Sequence, residues 1–360
     1  MNNKFWSGKR VFLTGHTGFK GSWLSLWLQK LGADVVGYAL EPVHSNSLFT
    51  AANVAEGMQS VIGDICDGQK LARSMQNHSP EIVFHFAAQA LVRESYLNPV
   101  STFETNVMGT VNLLEAARHV PAVKAVVIVT TDKCYENREW LWGYRENEAM
   151  GGYDPYSSSK GCAELVTAAY RRSFFGTTSN GLLHTASIAS ARAGNVIGGG
   201  DWAKDRLIPD SVAAFLERRP VSIRHPNATR PWQHVLEPLS GYLALAEKLF
   251  TYGHSFAQAW NFGPRNDDSQ SVGWVMDRMV KLWGEPAQWV QSDGEHAHEA
   301  QLLKLDISKA NALLDWHPRT NLEDALRLTI DWYKLFSQGE SSKSLCQKQI
   351  EYFSALTQDT

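Results

Sequence analysis

Three patterns in this 360-residue chain have the residue types and spacing to do chemistry. The first is Asp132 beside Lys133 in "VIVTTDKCYEN", where an apolar, β-branched run comes to an end. Adjacent charges there are either a salt-bridged loop or a working acid and base, and composition alone leaves both open. A working pair makes demands. Lysine near pKa 10.4 is protonated at neutral pH, so burial or nearby positive charge must lower Lys133, and Asp132 must be raised enough to hold a proton. A desolvated pair sharing one proton meets both demands as a coupled titration. Consecutive strand residues point to opposite faces, so the backbone must also leave strand geometry by Asp132 for both to line one pocket.

The second pattern is "TGHTGFKG", which sets Gly15, Gly18 and Gly21 between an apolar strand and a helix. Glycines there let the backbone turn tightly and approach a pyrophosphate, which then rests on the helix N-terminus. The bland alternative is a tight turn with no ligand. His16 adds bulk to the loop and Lys20 a positive charge. A ribose-binding acid is expected about 20 residues further on, after the second strand. Ala39 stands there, with Glu41 two residues later, so this segment leaves NADP open beside NAD. Asp64, ending "VIGDI", suits either an adenine contact or a strand-end turn.

The third pattern is "YSSSK", in which Tyr156 and Lys160 stand four apart on one helix face. Tyrosine near pKa 10 is a poor base at neutral pH. A neighbouring ammonium and a nicotinamide charge would favour phenolate and move it toward 7, a change of about three units or about 4 kcal/mol. Such a phenolate can take a hydroxyl proton while hydride leaves the same carbon, which is alcohol oxidation.

These patterns need a frame. "RVFLTG", "DVVGYAL", "SVIGDI", "EIVFHFAA" and "KAVVIVTT" read as short, mostly apolar strands. Leu24, Trp27, Leu28 and Leu31 recur at helical spacing with Gly32 as the stop, and "STFETNVMGTVNLLEAARHV" is the clearest later helix. Strand–helix alternation with near-continuous apolar strands predicts an α/β fold: a doubly wound parallel sheet of Rossmann type over residues 1–185. Loop-rich segments such as "GNVIGGGDWAKDRLIP" and helical ones such as "LEDALRLTIDWY" predict a smaller α/β substrate lobe over 186–340. Residues 341–360 are a tail, and "SQGESSKS" reads as a solvated, mobile connector.

A net charge of −3 with both signs mixed gives no basic patch for nucleic acid. The first ten residues carry no apolar signal core, and nothing later approaches about 20 uninterrupted apolar residues, so the expected location is the cytoplasm. Cys66, Cys134, Cys162 and Cys346 are widely spaced, as reduced thiols are. His296 and His298 in "EHAHE" lack further ligands at metal spacing, and no metal is expected.

The chain resembles the extended branch of the short-chain dehydrogenase/reductase superfamily. The resemblance rests on Thr14-Gly15-x-x-Gly18-x-x-Gly21, Asp64-Ile65, "FAAQ", Asn106, Thr131 and Tyr156-x-x-x-Lys160, and covers about residues 9 to 335. Within the branch it looks most like the nucleotide-sugar 4,6-dehydratases, where a Thr-Asp-Glu triplet follows the fifth strand; here the triplet is Thr131-Asp132-Lys133. "TGHTGFKGSWL", "TTDKCY", "GNVIGGGDWA" and "RPWQHVLEPLSGYL" resemble the members that act on CDP-glucose.

The resemblance implies a lyase that makes CDP-4-dehydro-6-deoxyglucose and water with no net change in NAD, a step toward surface-polysaccharide deoxysugars such as those of O-antigen lipopolysaccharide. Tyr156 would take the C4 hydroxyl proton as NAD accepts hydride, Lys133 the C5 proton in place of the family's Glu, and Asp132 would protonate the departing C6 hydroxyl. The resemblance implies cofactor contacts at Gly15, His16, Gly18, Phe19, Lys20, Gly21, Asp64, Ile65, Phe86, Ala87, Ala88, Gln89, Thr105, Tyr156 and Lys160. It implies substrate contacts at Asn195, Arg206, Leu207, Arg230 and Asn261, with Arg230 on the diphosphate. A homodimer through helices after Tyr156 and around Asn106 to Arg118 is implied too, with tetramers of dimers open. A dehydratase of dTDP-glucose or GDP-mannose and a UDP-sugar 4-epimerase use the same frame, and a cofactor-sensing protein without turnover is a third class. The epimerase has no use for an acid and base aimed at C5 and C6.

Overall fold

The computed structural model describes residues 3–176, 184–292 and 302–356. Its first strands are β1 (Arg10–Thr14), β2 (Asp34–Ala39), β3 (Gln59–Ile62), β4 (Ile82–His85), β5 (Ala125–Val129) and β6 (Ser187–Ala193). They are followed by β7 (Asn195–Ile197), β8 (Val221–Ile223), β9 (Thr229–His234), β10 (Ala259–Phe262), β11 (Ser269–Ser271) and β12 (Trp289–Gln291). The helices of ten or more residues are α1 (Phe19–Lys30), α2 (Gly68–His78), α3 (Gly109–Arg118), α4 (Pro155–Ser173) and α5 (Leu207–Leu216), then α6 (Leu236–Tyr252), α7 (Val272–Trp283), α8 (Leu322–Ser337) and α9 (Ser342–Ala355).

Seven strands form one sheet in the order β10-β6-β5-β4-β1-β2-β3, with every pairing parallel. The apolar strands explain it. All of "AVVIV" in β5 is buried, and its residues alternate between two cores. Leu13, Phe84 and Val127 face one core, while their neighbours Phe12, Val83 and Ile128 face the other. Strand order reverses between β1 and β4, and the crevice beyond their C-terminal ends is where such sheets take ligands.

β6 and β10, drawn from the range expected for the substrate lobe, complete the large sheet. Around them sit a three-stranded sheet, β11-β9-β7, and a parallel pair, β12-β8. The long helix predicted before β5 is broken by a π-turn, Glu104–Met108, with buried Asn106 at its centre.

The tail departs from the sequence reading. Ser341 caps α9 by accepting a hydrogen bond from Ser344 N, and Leu345, Cys346, Ile350 and Phe353 are buried among the core residues. Helical spacing of those four, hidden among serines and lysines, replaces the expected mobile connector with a packed helix. His296 and His298 lie outside the described residues.

Candidate active site

The chain leaves β5 at Val129, and Thr131 is an extended N-cap for a single 3₁₀ turn, Asp132–Cys134. Thr131 Oγ1 donates to Asp132 Oδ1 at 3.0 Å and accepts from Lys133 N at 3.4 Å. The backbone therefore abandons strand geometry at Asp132, as a shared pocket requires. Asp132 is 3% exposed, and Lys133 is half-buried. No ion pair within 4.0 Å joins them, which argues against a simple loop salt bridge. Burial raises the Asp132 pKa, opposed by the charge of Lys133, the Thr131 hydroxyl and the charge of Arg230. The net effect is upward, the direction an acid in this position needs.

Asp154 starts α4 by accepting from Ser157 N at 2.9 Å, with Pro155 in the first turn. Tyr156 and Lys160 follow on the face turned to the sheet, and both are buried. Lys160 Nζ donates to Val129 O at 3.4 Å, and burial pulls its pKa down to about 8 against the upward pull of Glu164. Tyr156 goes the other way from expectation. Burial pushes it up to about 12, and Thr131 and Arg206 offset only part of that. Protein groups alone do not make the phenolate; that displacement depends on a cationic ring beside it.

The glycine loop fits a dinucleotide. Gly15 has φ +76°, and a β-carbon there would fall 2.7 Å from Ala87 N. One at Gly21 would collide with the Gly15 carbonyl oxygen. Gly18 caps α1 with no side-chain hydrogen bond, leaving the first N–H groups of the helix, at Phe19, Lys20 and Gly21, for an anion. Thr14 Oγ1 accepts from Phe86 N and Ala87 N, both at 3.2 Å, tying "FAAQ" to β1. Asn106 joins that segment to α4, accepting from Gln89 N at 2.9 Å and donating to Gln89 O at 3.0 Å and Ser159 Oγ at 2.8 Å. Ala88 is half-buried beside them. At the other end Asp64 Oδ1 accepts from Cys66 N, Ile65 is buried and Thr105 is half-buried in the π-turn.

The His16 side chain turns inward from the loop. Its ring is fully buried, hydrogen-bonded through Nε2 to Ser60 Oγ at 2.7 Å and packed where a β-carbon on Gly37 would go. Burial lowers its pKa to about 4, so the ring is a neutral wedge beneath the loop. Lys20 does face the centre. Burial, Arg206 and Lys160 lower its pKa to about 8, while Asp132 and Asp201 pull it up.

On the substrate side Arg206 caps α5 and donates to Asp201 Oδ2 at 2.9 Å; its charge acts on Tyr156 and Lys20. Leu207 opens α5, Asn195 opens β7, and both are half-buried. Arg230, on β9, lies close enough for its charge to lower Asp132. Asn261 lies deeper than the other expected substrate contacts. It is fully buried on β10, where its Oδ1 accepts from Tyr135 OH and its Nδ2 donates to Tyr144 O and Asp306 O. Both polar atoms of that amide have protein partners, the arrangement of a side chain that holds Tyr135, Tyr144 and Asp306 together.

Sequence reasoning missed four residues here. Asp201 holds Arg206. Gly194 leaves room for Asp132, since a β-carbon would fall 2.9 Å from its Oδ2. Glu164 and Arg192 form a buried ion pair at 2.8 Å. Only Glu164 left a signal, continuing the four-residue stripe of Tyr156 and Lys160.

A family model described as GDP-mannose 4,6 dehydratase matches residues 12–329. The chain belongs to that family. A CDP-glucose 4,6-dehydratase of Salmonella typhimurium is 56% identical over 99% of both chains. The fold also matches a dTDP-glucose 4,6-dehydratase of Bacillus anthracis in complex with NAD, at TM-score 0.74 and 22% identity over 94% of this chain and 100% of that one. A UDP-glucose 4-epimerase of Brucella ovis, also in complex with NAD, matches at TM-score 0.77 and 23% identity over 91% and 98%. Among the described residues no helix is long and apolar enough to cross a membrane.

Proposed function

We propose that the chain is a hydro-lyase that converts CDP-glucose to CDP-4-dehydro-6-deoxyglucose. The observation that carries the reading is the turn at 132–134, which sets a buried carboxyl, its pKa raised by burial, next to an amine and beside the Tyr156–Lys160 face. The nucleotide rests on the Salmonella relative at 56% identity.

Bound NAD would supply the acceptor for hydride from C4 and the hydride that C6 later receives. Tyr156 takes the C4 hydroxyl proton, and Lys160 holds positive charge beneath it. The resulting 4-ketone acidifies C5–H, whose proton Lys133 removes and, after exchange with solvent, returns to C5 when hydride reaches C6. Asp132 gives its proton to the C6 hydroxyl as that group leaves as water. Arg206 and Arg230 face the diphosphate.

The N–H groups at the start of α1 would hold the cofactor pyrophosphate. No Lys or Arg occurs between residues 40 and 50, and Glu41 adds negative charge there, which favours NAD over the 2′-phosphate of NADP. Exposed Leu97, Val100, Met108 and Leu165, on and beside α3 and α4, support a homodimer through those helices. Four free cysteines agree with a reducing cytoplasm.

The test is a mass-spectrometric panel of CDP-, dTDP-, UDP- and GDP-hexoses, each with and without added NAD. Loss of one water from CDP-glucose alone is the expected result. A C4 epimer with unchanged mass would replace the reading with a 4-epimerase.

A further inference from the structure

One deeply buried pair of charges belongs to no step above. Glu164 and Arg192 pair at 2.8 Å with side chains only 4% exposed. The Glu164 carboxylate also accepts from Ser190 Oγ at 2.6 Å and from Thr130 Oγ1. Arg192 Nη1 donates to Tyr135 OH at 2.6 Å and to Glu146 O at 3.0 Å. Tyr135 OH in turn donates to Asn261 Oδ1 at 2.8 Å.

Thr130 and Tyr135 are the residues that bracket Thr131–Cys134. One ion pair thus grips the turn on both sides, and its carboxylate sits one helical turn beyond Lys160 on the same face of α4. We propose that the Glu164–Arg192 pair is a positioning element of the catalytic site, clamping the Thr131–Lys133 turn at both ends and keeping a negative charge beside Lys160. The inference rests on the dehydratase reading for its effect on turnover, but not for its effect on Lys160.

The surroundings fix the sign. Glu164 pulls the proton onto Lys160, as does Cys134 in the turn, while burial pulls it off. Lys20 on α1 and His85 at the end of β4 also feel the Lys160 charge. Arg192 on β6 and Arg171 on α4 face Glu164. Arg192 and the Ser190 and Thr130 hydroxyls hold Glu164 ionised despite its burial. Without the carboxylate, Lys160 loses its proton at lower pH.

The test compares wild type with Glu164→Gln and with the doubly neutral Glu164→Gln/Arg192→Met, which leaves no orphan charge should the single variant fold poorly. The first readout is the titration of the Lys160 Cε resonance in lysine-labelled protein, which needs no turnover. The second is the pH profile of kcat for water loss from CDP-glucose. The expected result in either folded variant is a Lys160 midpoint and a high-pH limb both about one pH unit lower than wild type, with KM changed less than about threefold. A wild-type midpoint with a uniformly scaled kcat would overturn the proposal and leave the pair a packing element. A wild type inert on CDP-glucose would overturn the dehydratase reading, while the Lys160 titration would still judge the clamp.

Discussion

The Asp132 carboxylate lies against Gly194, so closely that a β-carbon on the glycine would fall 2.9 Å from Oδ2. Pro231 Cγ stands at the same distance, so an added β-carbon must displace the carboxyl or the proline ring. Gly194→Ala should turn the carboxyl off its line while leaving the Tyr156–Lys160 face intact. A shift of that size costs about tenfold to a hundredfold in kcat for water loss. Asp132→Asn should cost about a hundredfold or more, because the amide has no proton to give. Steady-state rates on CDP-glucose check both, and wild-type rates in either variant would remove the acid role from Asp132.

Asn261 gives a kinetic distinction between holding the site and touching the substrate. Its amide ties Tyr135 to Tyr144 and Asp306. Asn261→Ala leaves those buried groups short of partners, at about 1–3 kcal/mol. A lower thermal midpoint and a lower kcat with nearly constant KM are expected. A KM raised tenfold at unchanged stability would mean that the side chain binds substrate after all.

Three buried histidines set the acid limit of the fold. Burial lowers His16 to about 4 and His85 and His234 to about 3, from an ordinary 6.5. Below pH 6.5 the unfolded chain takes up protons that the folded chain refuses, so their stability contribution is complete above 6.5. It is lost progressively as pH falls toward 3–4. The sum is on the order of several kcal/mol by pH 4.5. Thermal midpoints measured from pH 7 to 4.5 should fall steeply, and less steeply in His234→Gln. Parallel curves for the two proteins would exclude His234 from the effect.

Much of this was legible in the sequence because it is local. Gly15, Gly18 and Gly21 stand where a strand meets a helix, the buried strands are unbroken apolar runs, and Tyr156 and Lys160 fall on one face by helical arithmetic. The departure of the backbone from strand geometry at Asp132 followed from the chemistry asked of the pair. Other features depend on contacts between distant segments. Glu164 and Arg192 are 28 residues apart, and nothing local brings them together. His16 reads as a loop residue until Ser60 and Gly37 close over it. The rise of Tyr156 to about 12 reflects burial, which its neighbours in sequence do not reveal. In α9 the apolar stripe of Leu345, Cys346, Ile350 and Phe353 was masked by serine and lysine, residues common in linkers.

The central claim is that Lys133 removes the C5 proton in a reaction that ends in loss of water. The direct measurement is the product mass and rate with CDP-glucose and NAD in deuterated water, for wild type and for Lys133→Met. Wild type should release product lighter by one water and carrying solvent deuterium, while Lys133→Met, with NAD binding unchanged, should lose water at least about a hundredfold more slowly. Wild-type water loss and deuterium uptake by Lys133→Met would contradict the claim and return Asp132-Lys133 to a structural turn.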